Sequence, residues 1–280
     1  MQSILIPGTE LKVSRLSFGT ASLHHLFSAG RRQGLLQHAL ANGFTHFDTA
    51  PYYGFGLAEV ALGRLPARDR DRITVATKVG LYGPDGARPG FVNVLARKIT
   101  GKVIPRLNRA VVDWRLERAR QSLAASLRRL RREHVDVLYL HEPEAALIET
   151  DEWLRWLESS RRSGQVGHFG IAGEARRVAV MLASFAGWPV VQMRDSLVNR
   201  EADLLRGHQR EMQFTYGYLV DWRQRGGSPS ETLAGALRRN CTGSILVSTR
   251  HAGRVAALAT IASSEQMQAQ CTDSALSSNR

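Results

Sequence analysis

Four residues carry reactive side chains at or just beyond the ends of short apolar runs. Asp48 follows Thr45–Phe47, Lys78 follows Thr74–Thr77, His141 follows Val135–Leu140, and Tyr53 lies in the loop after Asp48. Taken singly, each has an ordinary reading: Asp48 as the N-cap of a turn, Tyr53 as a packed aromatic, Lys78 as a surface charge, His141 as a satisfied core histidine. Taken together they make an acid with its tuning partners. A tyrosine hydroxyl titrates at about 10 in water, so releasing a proton near neutrality requires a nearby cation and hydrogen bonds that favour proton loss. In this reading Lys78 supplies the cation and Asp48 holds the ammonium, while His141 orients a carbonyl oxygen beside the phenol. The chemistry is general-acid catalysis aimed at a carbonyl.

Such a quartet needs a scaffold that brings distant segments to one rim. Short apolar runs alternate with amphipathic segments over most of the chain, which is the pattern of strands and helices in turn. Eight strands are expected at Arg15–Phe18, Thr45–Phe47, Thr74–Thr77, Val135–Leu140, Val166–Ile171, Val190–Met193, Gln213–Tyr216 and Ser244–Val247. Helices are expected around Arg31–Asn42, Gly56–Leu65, Arg115–Arg132, Asp151–Ser163, Glu174–Phe185, Glu201–His208, Glu231–Arg239 and Ala252–Ile261. Strands apolar nearly throughout are parallel strands buried on both faces. Eight such units with no long linker predict an α/β fold, a closed (β/α)8 TIM barrel over residues 1–262, with its active site at the C-terminal ends of the strands. The Pro7-Gly8 turn predicts an N-terminal β-hairpin on the barrel floor. Residues 263–280 read as a polar, loosely docked tail. Between the third strand and its helix lies a long insertion, Gly80–Trp114, and loops of that length are usually functional or disordered.

The run FDTAPYYG (Phe47–Gly54) with Gly56 and Glu59, then ATKVG (Ala76–Gly80), then LYLHEPE (Leu138–Glu144), resembles the aldo-keto reductase family over roughly residues 10–262. The resemblance implies an NAD(P)H-dependent carbonyl reductase on a (β/α)8 barrel, with Tyr53 as acid–base residue, Lys78 and Asp48 tuning it, and His141 binding the carbonyl. It also implies that Gln192 binds the nicotinamide amide and that Tyr216 stacks on the nicotinamide ring. Ser248, Thr249, Arg250 and Arg254, at the start of the eighth helix, match the segment that holds the adenosine phosphate. A helix start with adjacent cations suits an anion, so NADPH is expected over NADH. Three departures stand out: Ala172-Gly173 replaces a Ser-Asn pair that helps bind the carboxamide, the loop after Tyr216 is nearly absent and leaves the cofactor less covered unless Trp222 or Arg223 substitutes, and Asp195 stands where an aromatic is common.

Pocket candidates for a sugar-like or aromatic carbonyl substrate are Tyr52, Tyr82, Trp114 and Glu142, with Leu23, His24 and His25 also within reach. Two readings of other classes stay open: a regulatory or binding barrel of low turnover, favoured by the lost Ser-Asn pair, and an elimination or isomerisation enzyme using Tyr53 and Lys78.

Of the 280 residues, 38 are Lys or Arg and 25 are Asp or Glu, giving a net charge of +13. That balance bears on partners rather than fold. The most basic segment holds Arg97, Lys98, Lys102, Arg106 and Arg109, then Arg128, Arg129, Arg131 and Arg132. Leu127 and Leu130 interleave with the last four, so that stretch reads as the solvated face of a helix and no specific nucleic-acid binding is expected. Cys241 and Cys271 make neither a metal spacing nor a disulfide framework. The early Pro7-Gly8 argues against a signal segment and no run reaches membrane length, so a cytoplasmic location is expected.

Overall fold

The computed structural model describes residues 1–84, 110–220 and 227–264. Eight parallel strands close into a barrel in the order β3 (Leu16–Gly19), β4 (His46–Asp48), β5 (Thr74–Val79), β8 (Val135–His141), β9 (Val166–Gly173), β10 (Val190–Arg194), β11 (Phe214–Tyr216) and β12 (Ser244–Val247), which pairs back with β3. All eight expected strands are present. Several run one or two residues further toward the mouth than expected: Asp48, Lys78, His141 and Arg194 are polar and end the apolar run, and Ala172-Gly173 extends β9, while Lys78, His141 and Ala172 still pair in register.

Alternation along each strand decides what faces inward. On β5, Ala76 and Lys78 point into the barrel, whereas Val75 and Val79 join the outer core beneath the helices. The same alternation sends Val137, Tyr139 and His141 of β8 inward and Leu138 and Leu140 outward. Phe18, Phe47, Phe169, Ile171, Val191 and Ile245 complete the outer layer.

The hairpin is present as an antiparallel pair, β1 (Ser3–Leu5) with β2 (Lys12–Ser14). It pushes Ile6, Leu11 and Val13 into the barrel end against Ala76, Tyr139, Val190 and Phe214, and the Gln213 amide donates to Pro7 O at 2.8 Å. Arg15 is buried beside it, its guanidinium donating to the carbonyls of Leu237 at 2.7 Å, Asn240 and Gly243. Floor and mouth are thus separate: the floor is sealed by side chains, and the polar residues gather at the other end.

The outer helices are α1 (Ala29–Ala41), α2 (Leu57–Gly63), a short α3 (Ala67–Arg70), α4 (Leu116–Leu130), α5 (Thr150–Arg162), α6 (Ala175–Ser184), a short α7 (Leu204–Gly207), α8 (Pro229–Arg239) and α9 (Ala252–Ser263). Helix α3 was not expected, and α1 starts at Ala29, two residues before the expected Arg31. The stretch 201–208 divides into a 3-10 turn (Glu201–Asp203) and α7; Arg200, just before it, has a φ of 55°, and the Ala202 N–H donates to the Asp195 carboxylate at 3.0 Å. Helix α8 starts two residues early, where Ser228 and Glu231 form a reciprocal capping box with Pro229 at the first turn. Helix α9 runs through Ser263, one residue into the expected tail, of which 265–280 lie outside the described residues.

The insertion begins and ends in a small ribbon, β6 (Leu81–Tyr82) pairing with β7 (Val111–Val112). The basic positions Arg97 to Arg109, and Trp222 and Arg223, lie outside the described residues. Arg129 and Arg132 are not the free solvated face expected of them. Arg129 donates to Glu59 at 2.6 Å, and Arg132 donates to Ile73 O at 3.0 Å and pairs with Asp136 at 3.3 Å.

Candidate active site

At the mouth, register sets the neighbours. Gly19 pairs with Asp48, Asp48 with Ala76, Lys78 with Tyr139, and Ala172 lies between His141 and Gln192. The four residues singled out from the sequence therefore meet on one rim. Lys78 is 1% exposed, and its ammonium donates to both Asp48 oxygens at 2.6 Å and to Thr49 O at 2.9 Å. Gln192 is buried beside them, donating from Nε2 to Asp48 Oδ2 at 2.9 Å. The Tyr53 ring stands over this pair, its centroid 5.0 Å from Lys78 Nζ, and meets the His141 ring edge-on at 6.0 Å.

The electrostatics differ from the simplest expectation. Lys78 does not leave the phenol acidic. Burial, and then the carboxylates of Asp48 and Glu142, hold the Tyr53 hydroxyl well above its ordinary range. Burial, opposed by Asp48, pulls the Lys78 ammonium down. Burial and the Lys78 charge keep the His141 imidazole neutral, and its buried Nδ1 has no hydrogen-bond partner among the described residues. A protonated phenol and a neutral imidazole side by side can both address one oxygen atom.

The quartet, Gln192, Tyr216 and Glu142 line a cavity of about 470 Å³. Leu219 and Ser248 also line a second cavity of about 410 Å³, walled by Thr249, Arg254 and the flank of α9 at Ala257, Leu258 and Ile261, so the two adjoin and together make up the groove. Arg250 is exposed at its edge and does not line it among the described residues. The shape and donor set suit a long ligand with an aromatic amide at one end and phosphate at the other: a buried amide and an aromatic at the mouth, a helix start and an arginine beyond. Wall positions that sequence reasoning missed include Gly217, Leu219, Val220 and Glu174, whose only signal was their place after a strand end.

Among the described residues, Tyr52, Tyr82 and Trp114 do not line the groove. Trp114 is drawn into the core, against the Gly80 backbone and edge-on to Trp153 at 5.7 Å. Gly80 has a φ of 101°, and any side chain there would collide with the indole. Tyr82 lines a separate cleft with Phe55 and Arg118, and burial pushes its hydroxyl up to about 12. Leu23 is core and does not reach the groove.

Asp195, odd by the resemblance, is fully buried. It accepts from Tyr218 Oη at 2.5 Å, from Arg239 Nε at 2.6 Å and Nη2 at 3.0 Å, and from the Ala202 N–H. One carboxylate thereby ties the segment after β10 to that after β11 and to α8. Glu59 is a second buried anchor, accepting from Thr77 at 2.7 Å and from Arg129 at 2.6 Å, which fixes α2 and α4 against β5 behind Lys78.

With this geometry in place, the comparison with known proteins is direct. Residues 15–211 match the family described as the aldo/keto reductase family. The chain belongs to the aldo/keto reductase family. Among curated aldo/keto reductase relatives, it is 34% identical over 140 residues to D-threo-aldose 1-dehydrogenase of a Pseudomonas species, covering 48% of this chain and 41% of that one. It is 31% identical over 173 residues to L-galactose dehydrogenase of Arabidopsis thaliana, covering 59% of this chain and 46% of that one. The chain thus matches under half the length of these two relatives. A solved aldo-keto reductase from Klebsiella pneumoniae, in complex with NADPH, superposes with a TM-score of 0.65 at 17% identity over 97% of this chain and 94% of that one, a likeness of fold. No helix among the described residues is long and apolar enough to cross a membrane.

Proposed function

We propose that this aldo-keto reductase interconverts a carbonyl and an alcohol on a small sugar-like substrate, with NADPH or NADP+ as cofactor. The observation that carries the reading is Tyr53 and His141, side by side over the buried Lys78–Asp48 pair, in a cavity that adjoins a second one lined by Arg254. The groove fits the cofactor: Gln192 and Tyr216 would hold the nicotinamide end, and Ser248, Thr249 and Arg254 the adenosine phosphates, with Arg250 within reach of a 2′-phosphate. When bound, the reduced nicotinamide supplies hydride to a carbonyl carbon.

The chain's own residues do the rest. His141 donates a hydrogen bond to the carbonyl oxygen and fixes its direction. As the C=O π pair withdraws onto that oxygen, Tyr53 transfers its hydroxyl proton there, completing the alcohol. The tyrosinate left behind faces the Lys78 ammonium, which stabilises the new charge, and regains a proton from water entering at the mouth. Oxidation runs the same steps in reverse. The dehydrogenase names of the two sugar-handling relatives favour a polyol or sugar substrate.

Fluorescence titration with NADPH and with NADH tests the cofactor: micromolar NADPH affinity that weakens in Arg254→Ala is expected. Tyr53→Phe should abolish reduction of carbonyl substrates with cofactor affinity nearly unchanged. Turnover retained in that variant would remove the mechanism.

A further inference from the structure

The place where the resemblance expects a Ser-Asn pair is not left without polar atoms. A Cβ built on Gly173 would come 2.8 Å from Glu142 Oε2 and 3.1 Å from its carboxyl carbon, so the Glu142 carboxylate occupies the room that a side chain at 173 would need. Several contacts hold it there. The Glu142 N–H donates to Ala172 O at 2.7 Å, its φ of 52° bends the chain across the end of β9, and Oε2 accepts from the Glu174 N–H at 3.1 Å and lies 3.5 Å from Arg177 Nε. A left-handed φ at a glutamate is strained, and the neighbouring contacts maintain it. Oε1 accepts no hydrogen bond from any described residue, while the side chain lines the groove next to His141.

A Ser-Asn pair is neutral, whereas a carboxylate only accepts hydrogen bonds and carries charge. Arg177 offsets that charge in part, but it is shared with Glu144 at 2.9 Å, and Glu174, itself 3.7 Å from Arg194, adds a further carboxylate to the same wall. The oxidised nicotinamide ring is a cation and the reduced ring is neutral, while the phosphates of the two forms are alike. A charge on this wall therefore enters the difference between the two forms, and Arg254 at the far end cancels from it.

We propose that Glu142 sets the redox preference of the groove: its carboxylate takes over the position of the missing pair, accepts from the carboxamide N–H and stabilises the oxidised nicotinamide over the reduced one, which lowers the potential of the bound couple and favours hydride transfer to the carbonyl within the complex. This rests on the cofactor reading above.

The test is the pair of dissociation constants for NADP+ and NADPH, measured by calorimetry on the full chain without substrate. Glu142→Gln keeps the shape and removes the charge, and it should weaken NADP+ by about tenfold while changing NADPH far less, the scale expected of one charge at close range. Arg177→Gln removes the offsetting cation and should move the ratio the opposite way, which keeps the test alive if the first variant folds poorly. An unchanged ratio in both variants, with Arg254→Ala still weakening both forms equally, overturns the role of Glu142 and leaves the cofactor reading intact. Failure of the wild-type chain to bind either form overturns both.

Discussion

At the residue scale, the site is organised by one buried ion pair. Lys78 and Asp48 are each at most 3% exposed, and the pair keeps its place because every ammonium proton and both carboxylate oxygens find partners. Breaking such a pair leaves an uncompensated buried charge, which costs about 3–5 kcal/mol, whereas removing both partners is far milder. Asp48→Ala should lose stability on that scale in urea unfolding, and the double variant Asp48→Ala/Lys78→Met should regain most of it while remaining inactive. That outcome would separate what the pair does for the fold from what it does for Tyr53. The positions of Asp48, Tyr53, Lys78 and His141 were legible from the sequence because each closes or follows an apolar run. The state of Tyr53 was not, since proximity to Lys78 suggests an acidic phenol and only the geometry reveals the burial, and then the Asp48 and Glu142 carboxylates, that hold it up. Trp114 and Tyr82 misled for a related reason: an aromatic near a strand end has the same spacing whether it faces a groove or a neighbouring helix.

At the scale of elements, the eight strands were read at their right places because parallel strands buried on both faces are short and continuously apolar. Several ends were read short, because Asp48, Lys78, His141 and Arg194 break the apolar run, and Gly19 and Ala172-Gly173 carry no strand signal of their own. The stretch 201–208 was expected as one helix and is a 3-10 turn followed by α7, with its Ala202 N–H donated to the Asp195 carboxylate, a contact that no local pattern announces. Asp195→Ala should therefore act well beyond its own position, leaving Arg239 and the Tyr218 hydroxyl without their shared acceptor. A loss of about 3 kcal/mol in urea unfolding is expected, together with faster release of NADPH in stopped-flow, since Gly217, Leu219 and Val220 beside Tyr218 form the groove wall. An unfolding midpoint and release rate equal to those of the wild type would mean that the network is ornamental.

At the scale of the molecule, two buried histidines give the fold a pH sensitivity. Burial, aided by the Lys78 charge, lowers His46 to about 3 and holds His141 well below its usual range. Both are neutral when folded and take up protons when unfolded at any pH below about 6.5. The unfolded chain then binds more protons, so stability is lost as the pH falls from about 6.5 toward 3, at up to about 1.4 kcal/mol per pH unit for each histidine. Urea midpoints measured at pH 7.5 and pH 5.5 should differ accordingly, and equal midpoints would argue that these rings are charged or solvated in the fold. The hairpin has a practical consequence of another kind. Since it pins Met1 beside Gly43 and plugs the end of the barrel opposite the groove, a sensor chip that captures the chain through its first residues presents every molecule with its mouth toward the flowing solution. Ligand binding at the groove can then be recorded without the support shielding the opening.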